Sequence, residues 1–592
     1  MKLKIPFQII AFFISFTICV LLFGLDYKNS FLADYIYGNI KSVIRIFELV
    51  PGDTGDASLN NWFLERNLQY LLQGKNIFNI EEIFNAKIFW PEINTLAWSD
   101  NWILLSPLYG LLRLFSSEGK AFTLLISICL SANVVACYQL CRHATQRKLY
   151  RLIASILSGF SLTILARIGH AQLMPCFAGV LAIDSFIASL NSQKILKSNK
   201  LDSKKYSSSN KISINIACFL TGLNFLLLQL GIAFYQGVFF SLASGLLVLT
   251  LLFSKFILRN IKVKFDIDFL KNKIKKINFS LNFLFFIFLI WFNVQIYSQY
   301  LIFSRISGSR PWSEVARLIP KLWSYGFNTL STPKSVSLPA PIQSINQDFY
   351  PGPFSEHSLF PGYTFIFLII IGIWFGFKNL KKEDPHFWTW KINKIGQICL
   401  LMFLISIGFG GSQPLTTWIL IFKFIPGLSS IRAVTRIGIP IVLLLSPVLA
   451  WSLNELHLRL DKKSMTFALA ILFMFFLSGN LTSKIPRFDS KIYDSKVVEI
   501  SKKVELTINK KNCESFYLSS SPDSSWWEYF VDNQLLAMWA AIKNDIPTSN
   551  GYSGHIPKNW SHKMSEFELK KWLKDKGIND YDASNVCWIK ND

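Results

Sequence analysis

The chain has 592 residues, 51% of them hydrophobic and 15% aromatic, with a mean hydropathy of +0.34. Repeated apolar runs of about 20 residues exclude an ordinary soluble protein and mark bilayer spans. The net charge of +24 sits in short connections between those runs, the asymmetry that orients a membrane protein, and this argues against nucleic acid as a partner. Six of the nine cysteines (Cys19, Cys129, Cys137, Cys176, Cys218 and Cys399) lie inside apolar runs without metal-ligand spacing and read as small buried hydrophobes.

Lys2 and Lys4 precede a first apolar run over residues 7–25. No small-residue cleavage site follows it, so it reads as a retained anchor with a cytoplasmic N-terminus. Residues 26–119 then form a long external loop, comparatively acidic through Asp26, Asp34, Glu48, Asp53, Asp56, Glu65, Glu81, Glu82, Glu92 and Asp100. A span over 121–141 ends at Arg142, Arg147, Lys148 and Arg151, and spans over 152–166 and 172–190 meet at Gly169-His170-Ala171. A Lys-rich connection (Lys194, Lys197, Lys200, Lys204, Lys205) follows on the inside. The apolar stretch 212–253 is too long for one span and divides near Gly231 to Gln236, before a second basic loop over 255–276. A span over 279–300 leads to a second large external loop, 301–360, rich in Pro, Ser and Gly. Further spans are expected over 363–377, 395–410, 437–456 and 465–481, with Lys381, Lys382, Arg459, Lys462 and Lys463 inside.

The total is about 11 spans. Residues 101–115 are apolar but short, with Pro107 and Arg113; counted as a span they would move every later basic loop outside, so they read as a re-entrant or surface-lying helix. The fold class is therefore mainly α. Residues 1–481 form a polytopic transmembrane helical bundle with interfacial helices in the first external loop, and residues 482–592 form a small extracytoplasmic α/β domain. In that tail, strands are expected over 515–518 and 586–589, and helices over 496–504, 533–543 and 566–574. Cys513 and Cys587 flank or enter the two strands; in an oxidising compartment they form a disulfide, and otherwise they are free thiols.

The sharpest chemical signal is Gly52-Asp53-Thr54-Gly55-Asp56, two carboxylates on a Gly-punctuated turn. Either aspartate is a candidate general base; the alternative is that Asp56 or Ser58 caps the following helix while Asp53 fills the turn, and Asp56 has the stronger claim to the cap. That helix, over 59–73, puts Leu59, Trp62, Phe63 and Tyr70 on one face and reads as lying flat at the membrane surface. Asp100 ends an aromatic stretch and either caps the next segment or lines a substrate site. Arg167 and His170 end a span, where a charge needs an anionic partner in protein or lipid; His170 is a candidate phosphate ligand or base-orienting group, set against a snorkelling interface residue. Arg432 and Arg436 stand at i and i+4 after Pro426-Gly427, and their guanidinium forks match phosphate oxygens. Arg310, Trp312, Glu356 and His357 in the second loop are candidate substrate-lining residues.

The turn at Gly52–Asp56, the helix after it, Gly169-His170 and the segment from Pro426 to Arg436 resemble the GT-C superfamily of polytopic glycosyltransferases. The chain is similar, more closely, to the YfhO-like bacterial branch, through Phe89-Trp90-Pro91 to Asp100, the turn from Glu356 to Gly362, and Asn550-Gly551-Tyr552-Ser553-Gly554. The resemblance implies a general base in the first external loop, carried to Asp53 or Asp56, although the familiar acidic pair is closer spaced than here. It adds Asn550 and Tyr552 as candidate substrate-lining residues. It implies inverting transfer of a sugar from a polyprenyl-phosphate donor to an extracytoplasmic glycan, lipid or protein acceptor, at a bacterial inner or plasma membrane and in contact with its lipids. Arg432, Arg436 and His170 would hold the departing phosphate. A divalent metal is optional for a monophosphate leaving group, and no dedicated metal cluster is evident. The competing readings are a non-catalytic envelope-assembly protein and a glycan transporter; the latter calls for polar mid-span residues and internal repeats, where Asp184 is the clear polar exception.

Overall fold

The computed structural model describes residues 6–24, 48–76, 78–195, 209–258, 262–266, 273–308, 310–327, 354–379, 387–411, 413–425, 428–481, 485–521, 524–578 and 585–591. Asp26, Asp34, Lys197, Lys200, Lys204, Lys205, Lys381, Lys382, Pro426 and Gly427 lie outside the described residues. The protein is mainly helical. Among the described residues six helical stretches are long and apolar enough to cross a membrane: Glu118–His143, Lys148–Leu165, Ala171–Ser189, Phe234–Leu252, Lys276–Ile306 and Val434–Arg459. Three shorter apolar helices, Phe7–Phe23, Ile216–Ile232 and Tyr363–Gly376, stand at other expected spans. The helices Phe387–Ser406 and Lys462–Leu481 overlap the expected spans 395–410 and 465–481. The long stretch before residue 253 breaks at Ala233, where the chain is extended between Ile216–Ile232 and the helix Phe234–Leu258.

Two Lys-rich connections are not simple loops. Strands β2 (Leu190–Ile195), β3 (Ser209–Asn215) and β4 (Lys262–Asp266) form a three-stranded sheet, β2 antiparallel and β4 parallel to β3. The alternation Lys211-Ile212-Ser213-Ile214 is the period-two pattern that favours a strand.

At the other end of the bundle, β1 (Leu49–Pro51) pairs antiparallel with β5 (Arg487–Asp489). The first loop is thereby joined to the tail. In the tail, β6 (Ser515–Ser520) and β7 (Val586–Asn591) are parallel, with Phe516 opposite Cys587. Parallel strands need a long crossover; here the intervening chain includes the helices Asn533–Lys543 and Glu566–Asp575, while Ser490–Lys511 precedes β6. Cys513 and Cys587 are disulfide-bonded, with Cα atoms 5.7 Å apart.

The helix Asp56–Leu72 does not lie flat on a surface. Residues 57–67 are all buried, polar ones included. Trp62 Nε1 donates to the Met538 carbonyl at 2.8 Å, Trp102 Nε1 to Asn60 at 2.7 Å, and Asn60 to Gln172 at 3.0 Å. Glu65 meets Arg113 at 2.8 Å and accepts from the Tyr109 hydroxyl at 2.9 Å. Burying this many polar groups is stable only because each finds a partner. Arg113 belongs to the helix Ser106–Arg113, eight residues long. Eight residues rise about 12 Å, far short of a span. Leu111, Leu114 and Phe115 stay exposed at its end.

First loop and tail are also zipped along residues 87–90. The Phe89 and Trp90 N–H groups donate to the carbonyls of Asn550 and Thr548, both at 2.9 Å, and Thr548 N–H returns to Lys87 at 3.0 Å. A Cβ at Gly551 would meet the Phe89 ring at 2.4 Å, so this approach requires glycine. One continuous apolar core runs from span residues such as Leu125 and Ile183 through Trp62 and Phe89 to Phe516 and Trp539.

Candidate active site

Segments far apart in the chain converge where β1 enters the helix Asp56–Leu72. Gly52 has φ +112°, and a Cβ there would sit 2.5 Å from Ala57 Cβ, so the tight entry depends on glycine. Asp53 Oδ1 accepts the N–H of Gly55 at 3.1 Å and of Asp56 at 2.8 Å. Asp53 therefore ties down the helix start. Asp56, in the first helical turn, directs its carboxylate away from its own helix: Oδ2 lies 2.7 Å from His170 Nδ1, and Oδ1 accepts from the Tyr552 hydroxyl at 3.2 Å. This reverses the expected division of labour, in which Asp56 held the stronger claim to the cap. Asp53→Ala is expected to cost about 1 kcal/mol, the usual worth of a helix-start carboxylate; thermal unfolding of the purified protein checks this.

His170 is the link to the second half of the site. Its Nε2 lies 3.3 Å from Glu356 Oε1. Glu356, in a single turn over Phe354–His357, is 3% exposed and bound on all sides. Arg436 Nη2 donates to Oε1 at 2.8 Å, Arg167 Nη1 lies 3.4 Å from Oε2, and Thr435 donates to Oε2 at 3.3 Å. Arg167 also donates to the carbonyls of Ser355 and Glu356, and the Glu356 carboxylate is the anionic partner expected of a charge at a span end. Arg436 lies over the Tyr235 ring at 4.8 Å.

Asp100 lies near the Phe234 backbone N–H and within electrostatic reach of Arg436 and His170. Three cations (Arg167, His170, Arg436) thus face three carboxylates (Asp56, Asp100, Glu356). Burial lifts the Asp100 carboxyl to about 6, against the pull of Arg436. Burial by itself lowers the His170 imidazole, but Asp56 and Glu356 outweigh it and hold its pKa at about 9. Burial likewise disfavours the Asp56 and Glu356 carboxylates, and their cations outweigh it, His170 at Asp56 and Arg436 with Arg167 at Glu356, so both are held below the usual carboxylate range.

A histidine held above its free value of about 6.5 stabilises the fold fully below that pH and loses the contribution as pH rises through 9. Stability is therefore expected to fall between pH 7 and about 10 by on the order of 3 kcal/mol, and His170→Gln should flatten that limb. Unfolding measured across the range in both proteins decides it; an unchanged slope in the variant removes His170 as the source.

The other candidates divide. Arg432 and Arg436 do not form a shared fork: the turn Val434–Ile437 begins after Arg432, and Ala433 is extended, so no helix carries both. Arg432 instead donates its backbone N–H to the Tyr235 hydroxyl at 3.1 Å and places its guanidinium 3.7 Å from Glu314. Arg310 reaches the same Glu314 oxygen at 3.0 Å, leaving two partly exposed cations on one carboxylate. Trp312 packs on Phe422, ring centroids 5.2 Å apart. His357 turns away from Glu356: its ring bonds Ser324 at 2.9 Å and the Arg317 carbonyl at 3.0 Å, and burial holds its pKa at about 4. Asn550 is a core residue, bonded to both backbone groups of Leu518 and to Gln534. Neither His357 nor Asn550 faces the cluster. Tyr235 and Glu314 belong to the site without having been singled out; Tyr235 lies in the polar break between two apolar helices, the signal that could have found it. Among the described residues no group of three or more His, Cys, Asp or Glu is arranged to hold a metal ion.

No family model matches this chain, and no curated protein matches it.

Proposed function

We propose that the protein is a membrane glycosyltransferase of GT-C type, moving a sugar from a polyprenyl-phosphate donor to an extracytoplasmic acceptor. The observation that carries the reading is the meeting of Asp56, from the first loop, with His170 and Glu356 beside two partly exposed arginines. Asp56 is ionised at neutral pH and is placed to take the acceptor proton as the hydroxyl attacks the anomeric carbon. The C–O bond to phosphate breaks as the new glycosidic bond forms, its electron pair leaving on the phosphate, and one displacement inverts the sugar. Arg310 and Arg432, whose shared Glu314 leaves one positive charge over, are the cations for that phosphate. Protonated His170 adds a third positive group nearby. Asp53, the alternative base in the same turn, holds the helix start through Oδ1, whereas Asp56 turns its carboxylate to His170 and Tyr552.

About 11 spans, an N-terminus in the cytoplasm and the tail outside a bacterial inner or plasma membrane complete the reading. It is supported by the basic residues concentrated in the connections between apolar runs, in contrast to the acidic first loop that carries Asp56. The test is turnover of a labelled polyprenyl-phosphate sugar by the purified protein in lipid, with candidate acceptors. Donor that is bound but never consumed, with any acceptor, would favour a non-catalytic envelope protein.

A further inference from the structure

The segment entering the helix Asn533–Lys543 opens with a π-helical turn over Glu528–Asp532. Such a turn inserts a residue and re-aims the side chains around it. Here Trp526 stacks on Phe530, centroids 4.5 Å apart and planes 16° apart, and Trp527 lies 6.2 Å from Trp526. Trp526 is 56% exposed and Trp527 38%, an unusual state for two adjacent large rings.

The rings are fastened to the candidate active site. Trp527 Nε1 donates to Thr54 Oγ1 at 3.2 Å, and a Cβ at Gly55 would lie 3.3 Å from the Trp527 ring. Thr54 in turn donates to Asp532 at 3.0 Å, within the π turn. From Phe530 the aromatic row continues to Tyr552, 6.4 Å between centroids, whose hydroxyl rests on Asp56. An uninterrupted line of rings therefore leads from solvent to the proposed base.

We propose that the outward face of Trp526, backed by Phe530 and His562 and flanked by Trp527, is a platform on which a sugar ring of the acceptor glycan stacks, at the solvent end of the row of rings that leads to Asp56. The inference rests on the glycosyl-transfer reading of that site and names its acceptor as a carbohydrate. An aromatic face carries negative potential and attracts the polarised C–H groups on one face of a pyranose, while the ring hydroxyls project sideways. Exposed Ser525 and Glu528 flank the two tryptophans in the chain, joined by the Ser525 N–H to Glu528 Oε2 at 2.7 Å, and offer polar atoms for those hydroxyls. Under an apolar partner the same groups would be desolvated at a cost. The occupant the surface fits is a neutral sugar.

The test is calorimetric titration of the full chain in lipid nanodiscs with neutral linear hexasaccharides of glucose and of N-acetylglucosamine. Binding of one of them is expected, with Trp526→Ala weakening it about tenfold and Trp526→Phe largely restoring it. Trp526 is more than half exposed, so its truncation leaves the fold in place, and Phe530→Ala provides a second readout. No binding by either hexasaccharide up to about 10 mM, or equal binding by Trp526→Ala and the parent protein, overturns the platform. The titration needs no chemistry. A protein that binds sugar through Trp526 but transfers none therefore sinks the catalytic reading alone, and one that transfers sugar with Trp526→Ala indistinguishable from the parent sinks the platform alone.

Discussion

Asp56→Asn lowers transfer from a polyprenyl-phosphate sugar by about two to four orders of magnitude, the usual worth of a positioned general base. The amide keeps the shape of the carboxylate and can still accept from Tyr552, but it cannot take a proton and carries no charge for His170. The imidazole then loses the partner that contributes most to its raised pKa, so His170 should hold its proton less tightly. Asp53→Asn retains a side-chain oxygen for the Gly55 and Asp56 N–H groups and is expected to lose less than about tenfold. Initial rates of labelled-sugar transfer, with both variants at matched protein levels, measure the contrast. Equal rates for Asp56→Asn and the parent protein would falsify the assignment of the base; a larger loss for Asp53→Asn would transfer the role to Asp53.

Glu356→Gln has the second large effect, on stability rather than chemistry. Three cations surround this carboxylate at 3% exposure. Removing one partner of a buried ion pair typically costs about 3–5 kcal/mol, because the remaining charges stay buried without compensation. Arg167 keeps its two carbonyl acceptors and His170 keeps Asp56, so Arg436 bears most of the loss. The double variant Glu356→Gln with Arg436→Gln is accordingly expected to be less destabilised than the sum of the two single changes. Pulse proteolysis of the four proteins in the same detergent closes the cycle; strict additivity would show that the two groups are not coupled.

The helical character was legible because apolar runs and their breaks are local properties. Ala233 interrupts the helix inside the window where the run was too long for one span, and the tail strands and the helices Asn533–Lys543 and Glu566–Asp575 stand at their expected positions, while the helix Ser490–Lys511 runs well beyond the expected 496–504 at both ends. What was not legible depends on distant partners. Asn60, Asn61, Glu65, Arg66 and Asn67 resemble a solvated face in the sequence, yet all are buried against groups from other segments. Periodicity reports polarity; it does not say whether water or protein meets it. The four-residue spacing of Arg432 and Arg436 implies a common face only on a helix, and the chain is extended between them. Which aspartate caps was set by the backbone at Gly52, whose positive φ turns Asp53 back over the helix start.

The zipper between the first loop and the tail also sets a schedule for biosynthesis. Trp62 and Asp56 meet partners 476 and 496 residues later in the chain. At about 5–20 residues per second, these partners emerge roughly half a minute to a minute and a half after the first loop. Throughout that interval the apolar face carrying Trp62, Phe63 and Leu64 has no tail to cover it. A chain cut short before Tyr552 has every apolar helix but no finished site, and its first loop is then a target for proteases and chaperones.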